Sequence, residues 1–249
     1  MRPFVYDASP VVIAAVRSLA AYVAVSLYVL VTGPVGMLAA LIFGWTGLLY
    51  QFGHGGVRMG LMLAGIRFTV TGREHLPRDR AAVYCANHQS NVDPPLLFEV
   101  LHRRIHVLYK HELDQIPILA RAFRLGGFIP IDRRNRERAM RSIDAGAASI
   151  RAGNSFLIFP EGTRSRTDEL LPFKKGGFIM AIKAQAPIVP VAICGGRGAM
   201  RRGSWLIWPV TARIAVGPPI ETHGLGLDER DELIERVRDA IGRLVASVA

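Results

Sequence analysis

The chain has 249 residues, half of them hydrophobic, with a mean hydropathy of +0.25, a formal charge of +11 and an isoelectric point near 10.4. That length suits one α/β domain plus a small appendage better than two full domains. The charge fits nucleic acid, an anionic membrane surface or a phosphorylated substrate, and composition does not choose among them. Cys85 and Cys194 fall in apolar, strand-like runs without metal-ligand spacing, so they read as buried free thiols in a reducing compartment.

From Ser18 to Val57 there is no Asp, Glu, Lys or Arg, a run of 40 residues. It is too long for the apolar core of a secretory signal peptide and continues into further apolar sequence. Gly33-Pro34 divides it into arms at 19–31 and 35–50. Each arm is shorter than the roughly 20 residues needed to span a bilayer, whereas one tilted helix through Pro34 is long enough. Arg2 and Arg17 precede the run, and Arg58, Arg67 and Arg73 follow it. Basic residues at both ends place both ends in the cytoplasm. The expectation is a re-entrant or monotopic two-helix hairpin rather than a single crossing. Residues 1–66 would form this membrane-associated hairpin and an amphipathic linker carrying Met59, Leu61, Met62 and Leu63, and 67–249 the catalytic domain.

Beyond Arg67 short β-rich runs alternate with helical ones. Residues 68–71, 81–86, 105–109, 128–131, 156–159, 188–193 and 205–216 read as strands. Helical patterns cover 94–102, 116–125, 136–152, 177–185 and 228–248. The last places Leu233, Ile234, Val237, Ile241 and Leu244 at helical spacing, a core-facing stripe. The alternation predicts an α/β fold with a largely parallel or mixed sheet covered by helices. No internal repeat or low-complexity segment interrupts it.

Within this pattern, Asn87-His88-Gln89-Ser90-Asn91-Val92-Asp93 lies between a buried-strand run and the helical start at Pro94-Pro95. His88 therefore falls in a polar loop between strand and helix, where α/β folds commonly place chemistry. Positions five apart do not share a helical face, so a His88–Asp93 partnership needs a turn. There the carboxylate would hold one imidazole nitrogen and leave the other as a base. The plainer reading makes Asp93 only an N-cap before a first-turn proline. His223 with Asp228, ahead of the final helix, is such a decoy. Arg133 and Arg164 each follow a strand, and Gly162 permits close backbone approach. Guanidinium groups suit phosphate through a planar fork that keeps its charge. One such Arg reads as a surface charge; two at strand ends beside a candidate base read as an anion pocket.

The segment 87–93 and Phe159-Pro160-Glu161-Gly162-Thr163-Arg164-Ser165 resemble the first and third motifs of the glycerolipid acyltransferases. Within that family they look most like 1-acylglycerol-3-phosphate (lysophosphatidate) acyltransferases. Residues 127–133 resemble the second motif and 186–191 the fourth; Lys110-His111-Glu112-Leu113 with Pro117 resembles the segment between motifs one and two. The likeness covers roughly 72–193 in the family's order, with Pro130 where many members carry an aromatic residue.

The resemblance implies a glycerol-3-phosphate acyltransferase-like fold and an enzyme of phospholipid biosynthesis. Such an enzyme moves a fatty acyl group from acyl-CoA or acyl carrier protein to the sn-2 hydroxyl of lysophosphatidate, without metal or other cofactor. It implies His88 as general base, Asp93 as its support, and Arg133 and Arg164 on the acceptor phosphate with Lys110 helping. Glu161, Gly162 and Thr163 would line the acceptor pocket, Glu161 also as a structural element. The enzyme would work among membrane phospholipids at the cytoplasmic face. Basic residues such as Arg103, Arg104, Arg121, Arg124, Arg201 and Arg202 would add about 1 kcal/mol each against anionic lipid.

Other classes fit less well. No G-x-S-x-G occurs for a serine hydrolase. Gly195-Gly196-Arg197-Gly198 lacks the G-K-[ST] of a phosphate loop and reads as a turn. The long uncharged run is poorly matched to a nucleic-acid binder. The remaining alternatives are a different lysolipid or glycerol 3-phosphate as acceptor, or a non-catalytic lipid-binding protein on the same fold.

Overall fold

The computed structural model describes residues 9–101, 104–167, 169–201 and 203–248; Arg2, His102, Arg103 and Arg202 lie outside them. Two helices open the chain, α1 (Ser9–Phe43) and α2 (Thr46–Leu63). The break expected at Gly33-Pro34 is absent. Pro34 sits inside α1, and the chain reverses at Gly44-Trp45, where Gly44 has φ 68°. A proline removes one backbone hydrogen bond, whereas ending a helix strips several groups of partners, which apolar surroundings penalise more. The two helices pack antiparallel, with Val25 against Gly60, Tyr28 against Gly55 and Gly56, and Gly36 against Leu49 and Phe52. A Cβ on Gly55 would stand 2.4 Å from the Tyr28 hydroxyl, so the absent side chains set how closely the pair approaches.

Among the described residues α1 alone is long and apolar enough to cross a membrane. Val12, Val16, Leu19, Val23, Leu27 and Leu30 are all exposed along it. An apolar surface of that extent associates with membrane rather than water. The other side of the hairpin is bound to the rest of the molecule. The Ile207 amide donates to Ser18 Oγ at 2.7 Å, and the Tyr22 hydroxyl donates to the Trp205 carbonyl at 2.9 Å. The Tyr50 hydroxyl donates to the Gly126 carbonyl at 2.6 Å.

The remaining elements are β1 (Arg67–Thr71), β2 (Val83–Ala86), α3 (Asp93–Val100), β3 (Ile105–Lys110), α4 (Pro117–Leu125) and β4 (Ile129–Ile131). They continue with α5 (Arg136–Arg151), β5 (Ser155–Ile158), α6 (Gly176–Ala184), β6 (Ile188–Cys194), α7 (Gly196–Ala199), β7 (Thr211–Val216) and α8 (Arg230–Val248). One seven-stranded sheet has the order β1-β7-β6-β2-β5-β3-β4. Strands β2 to β6 run parallel to one another; β7 is antiparallel to β6 and parallel to β1. The sheet is thus mixed and mostly parallel, as expected. The strand expected over 205–216 begins only at Thr211, because Trp205 and Ile207 bond instead to Tyr22 and Ser18 of α1.

Alternation within β2 divides the core. Tyr84 and Ala86 face one layer with Leu61, Leu96, Leu97 and Ile214, while Val83 and Cys85 face the other with Phe156, Phe178, Leu233 and Val237. Both faces of β2 and β6 are covered, so their sequences read as unbroken apolar runs. Both cysteines are buried and neither forms a disulfide. Burial, with the nearby Glu161 carboxylate, pushes the Cys85 thiol up, away from nucleophilic chemistry.

Candidate active site

All five parallel strands end on one edge of the sheet, and the loops that carry His88, Arg133, Glu161 and Gly196 leave from that edge; the His223–Asp228 segment, after β7, lies beyond the other. Ligands of open α/β sheets bind outside the carboxyl ends of the strands. His88 follows β2, the central strand. Lys110 ends β3 level with Ile131 of β4, so Arg133 lies two residues beyond the sheet. The Phe159–Ser165 loop follows β5, and Gly196 follows β6.

Two clamps fix the loop that carries His88. The Asn87 side chain donates to the Ile193 carbonyl at 2.9 Å and accepts from the Ile193 amide at 2.7 Å, tying the loop to β6. On the other side the His88 amide donates to Glu161 Oε1 at 2.8 Å, and the Ser165 amide donates to the His88 carbonyl at 2.8 Å. Glu161 Oε2 also accepts from the Leu171 amide at 3.1 Å. Burial pushes the Glu161 carboxyl above its usual range, and the His88 and Leu171 amides pull against that shift.

Asp93 is fully buried at the first turn of α3 and does not cap it. Its carboxylate turns back onto the preceding loop instead. Oδ2 accepts from the amides of Gln89 at 2.6 Å and Ser90 at 2.7 Å, and lies 3.0 Å from His88 Nδ1. A carboxylate only accepts, so in the neutral imidazole Nδ1 carries the proton and Nε2 the lone pair. The imidazole stacks on Phe159 with ring centroids 4.2 Å apart and leaves 17% of its side chain exposed. A base held in one tautomer, with its free nitrogen open to a loop-lined edge, can accept a proton from a bound hydroxyl.

The cationic residues are arranged unevenly. Arg133 Nη1 donates to the Gly162 carbonyl at 2.6 Å, so its guanidinium is held against the loop that supports His88. Gly162 has φ 69°, and Thr163 beside it is exposed. Arg164 is half-buried next to Ser165 and has no carboxylate partner among the described residues. Lys110 is 62% exposed and paired with Glu112 at 2.9 Å, so it sits at the right edge but is engaged by a neighbour. No three His, Cys, Asp or Glu side chains gather as metal ligands among the described residues.

Two residues of this edge were not picked out from the sequence. Lys174 lies against Gly162, as Arg133 does, its amide bonded to the Pro160 carbonyl at 2.7 Å. The adjacent Lys174-Lys175 pair was its only sequence signal. Gly196 opens α7, which replaces the turn expected there, and a Cβ on it would stand 2.4 Å from Asp93 Oδ1. That oxygen is buried and has no hydrogen-bond partner among the described residues.

The chain matches the acyltransferase family over residues 67–194. It is 32% identical to a 1-acyl-sn-glycerol-3-phosphate acyltransferase of Limnanthes douglasii over 84% of this chain and 75% of the relative. It is 37% identical to a putative 1-acyl-sn-glycerol-3-phosphate acyltransferase of Caenorhabditis elegans over 71% and 64%. The alpha enzyme of that name from Homo sapiens is 33% identical over 72% and 64%. In fold the chain resembles the crystal structure of the 1-acyl-sn-glycerophosphate acyltransferase PlsC of Thermotoga maritima. The TM-score is 0.80 over 94% of this chain and 95% of that one, at 24% identity. A family match that takes in the β2, β3, β4 and β5 loops, joined to relatives of this similarity along most of its length, makes the chain a member of the acyltransferase family.

Proposed function

We propose that the protein transfers a fatty acyl group from an acyl thioester, acyl-CoA or acyl carrier protein, to the sn-2 hydroxyl of 1-acylglycerol 3-phosphate, giving phosphatidate. The observation that carries this reading is the His88–Asp93 hydrogen bond at a strand-end edge that also holds Arg133 and Arg164. The named relatives support the choice of acceptor.

His88 Nε2 takes the proton of the sn-2 hydroxyl as its oxygen attacks the thioester carbonyl. The tetrahedral intermediate then collapses, the carbon–sulfur bond breaks, and the thiolate leaves with the proton returned through the imidazolium. Asp93 keeps Nδ1 protonated and steadies the charge that develops on the ring. Arg133 and Arg164 fork the acceptor phosphate, with Lys110 as an outer cation and Glu161, Gly162 and Thr163 shaping the pocket wall. In this scheme residues 67–249 form the catalytic domain, and residues 1–66 hold it at the cytoplasmic face of the membrane, where long-chain lysolipid resides.

The test is purified protein with labelled acyl-CoA and a panel of acceptors with and without phosphate. His88→Ala is expected to lose about 10²–10⁴-fold in kcat at saturating substrate. Arg164→Ala is expected to raise the KM of phosphate-bearing acceptors by about 10–100-fold, the range of one charge-assisted contact, and to leave kcat nearly unchanged. Full turnover by His88→Ala would point to a non-catalytic lipid binder. Equal use of both acceptor types by the unaltered protein would remove the phosphate roles.

A further inference from the structure

Arg17 and Arg58 bound the 40-residue uncharged run, one at each end. Because α1 and α2 pack antiparallel, the two ends of that run meet in space. They meet at a cavity of about 1030 Å³, lined also by Arg67, Glu99 and the apolar Leu61, Met62, Ile66 and Phe68. None of its lining residues belongs to the His88 site.

The charges are unbalanced. Three guanidinium groups face one carboxylate. Arg58 Nε is already bonded to Glu99 at 2.5 Å, and Glu99 also receives His54 at 2.6 Å. Arg17 and Arg67 have no ion-pair partner among the described residues, which leaves two forked donors available to an anion. The surroundings are apolar and open. Ile13 and Val16 of α1 flank Arg17, and Met62 of α2 is 72% exposed. A ligand matching both features has an anionic head of phosphate geometry and hydrocarbon that continues along the hairpin.

We propose that this cavity binds the phosphodiester headgroup of an anionic bilayer phospholipid, apart from the acceptor pocket. Arg17 and Arg67 grip the phosphate oxygens while the acyl chains lie along the exposed face of α1. The headgroup then fixes the depth of the hairpin in the interface, and with it the height of the catalytic edge. Its occupant is a phospholipid rather than the lysolipid acceptor, a choice that rests on the acceptor role proposed for Arg133, which is held at Gly162 outside this cavity. The site stands whether or not His88 is a base.

The experiment floats the full chain with vesicles of phosphatidylcholine, with and without phosphatidylglycerol. Arg17→Gln and Arg67→Gln are made singly and together, with Arg121→Gln on the exposed face of α4 as a charge-matched control. Each groove substitution is expected to lower partition onto phosphatidylglycerol vesicles about 10–100-fold, the range of one charge-assisted contact, and the pair further still, with little change on phosphatidylcholine alone. Arg121→Gln is expected to cost about 5-fold at most, the value of one surface charge against anionic lipid. Losses from Arg121→Gln as large as those from the groove variants would overturn the proposal in favour of diffuse charge. So would an unchanged partition of the double variant. A raised KM of the double variant for a short-chain lysophosphatidate in detergent would overturn it too, by giving the cavity to the acceptor.

Discussion

Asp93 uses one oxygen three times: it receives two loop amides and the imidazole on Oδ2, while Oδ1 faces Gly196 and meets no donor among the described residues. The carboxylate is therefore located from two directions, by the turn it closes and by the backbone it abuts. Gly196→Ala would drive a methyl group onto Oδ1 and push the carboxylate off that turn. Misplacement of a catalytic support by about 1 Å costs on the order of 10²-fold in rate. The variant is expected to lose about that much kcat with the acceptor KM little altered, measured by steady-state kinetics. Combining it with Asp93→Asn is expected to add little, because both act through the same hydrogen bond. Full additivity of the two losses would place Gly196 outside this mechanism.

At the scale of elements, Glu161 joins the β5 loop to the β2 loop by accepting the His88 and Leu171 amides. Its carboxyl is raised above the ordinary value of 4.5, chiefly by burial. The folded chain therefore binds this proton more readily than the unfolded one. The stabilisation that follows is complete below the unfolded value and is lost as pH rises through the folded one. Glu161→Gln removes that titration and leaves one carbonyl to serve two amides, at a cost of about 1–3 kcal/mol for the unpaired donor. Urea unfolding over a pH series is expected to show the advantage of the unaltered protein shrinking from acid towards neutral pH. Parallel curves for the two proteins would show that Glu161 does not titrate in that window.

For the whole molecule, one side of the hairpin is fastened to the sheet domain and the other is offered to lipid. Ser18, Tyr22 and Tyr50 make the attachments, and Leu19, Val23 and Leu27 make up part of the free face. Since Leu27 is 59% exposed, a charge there disturbs little packing but opposes burial in hydrocarbon. Leu27→Asp is expected to shift the protein from vesicle-bound to soluble at high salt, where electrostatic attraction is screened, with the thermal midpoint in detergent shifted by under about 2 °C. Undiminished partition would mean that this face does not meet the membrane.

Much of this was legible in the residues alone. Strand and helix order followed from hydrophobic period, since a buried parallel strand needs a continuous apolar run and a covering helix an apolar stripe. The 87–93 and 159–165 loops stood out because polar side chains between such elements need a reason to be there. The hairpin turn was misplaced because Gly33-Pro34 breaks a helix only when its surroundings can satisfy the freed backbone groups, which local sequence does not record. Whether Asp93 capped α3 or turned back on His88 rested on loop amides and on Gly196, more than 100 residues away. The grouping of Arg17 with Arg67 was equally hidden, because charges separated along the chain meet only once the helices between them have packed. Period and residue type act over a few neighbours and can be read along the chain, whereas contacts between distant segments exist only after folding.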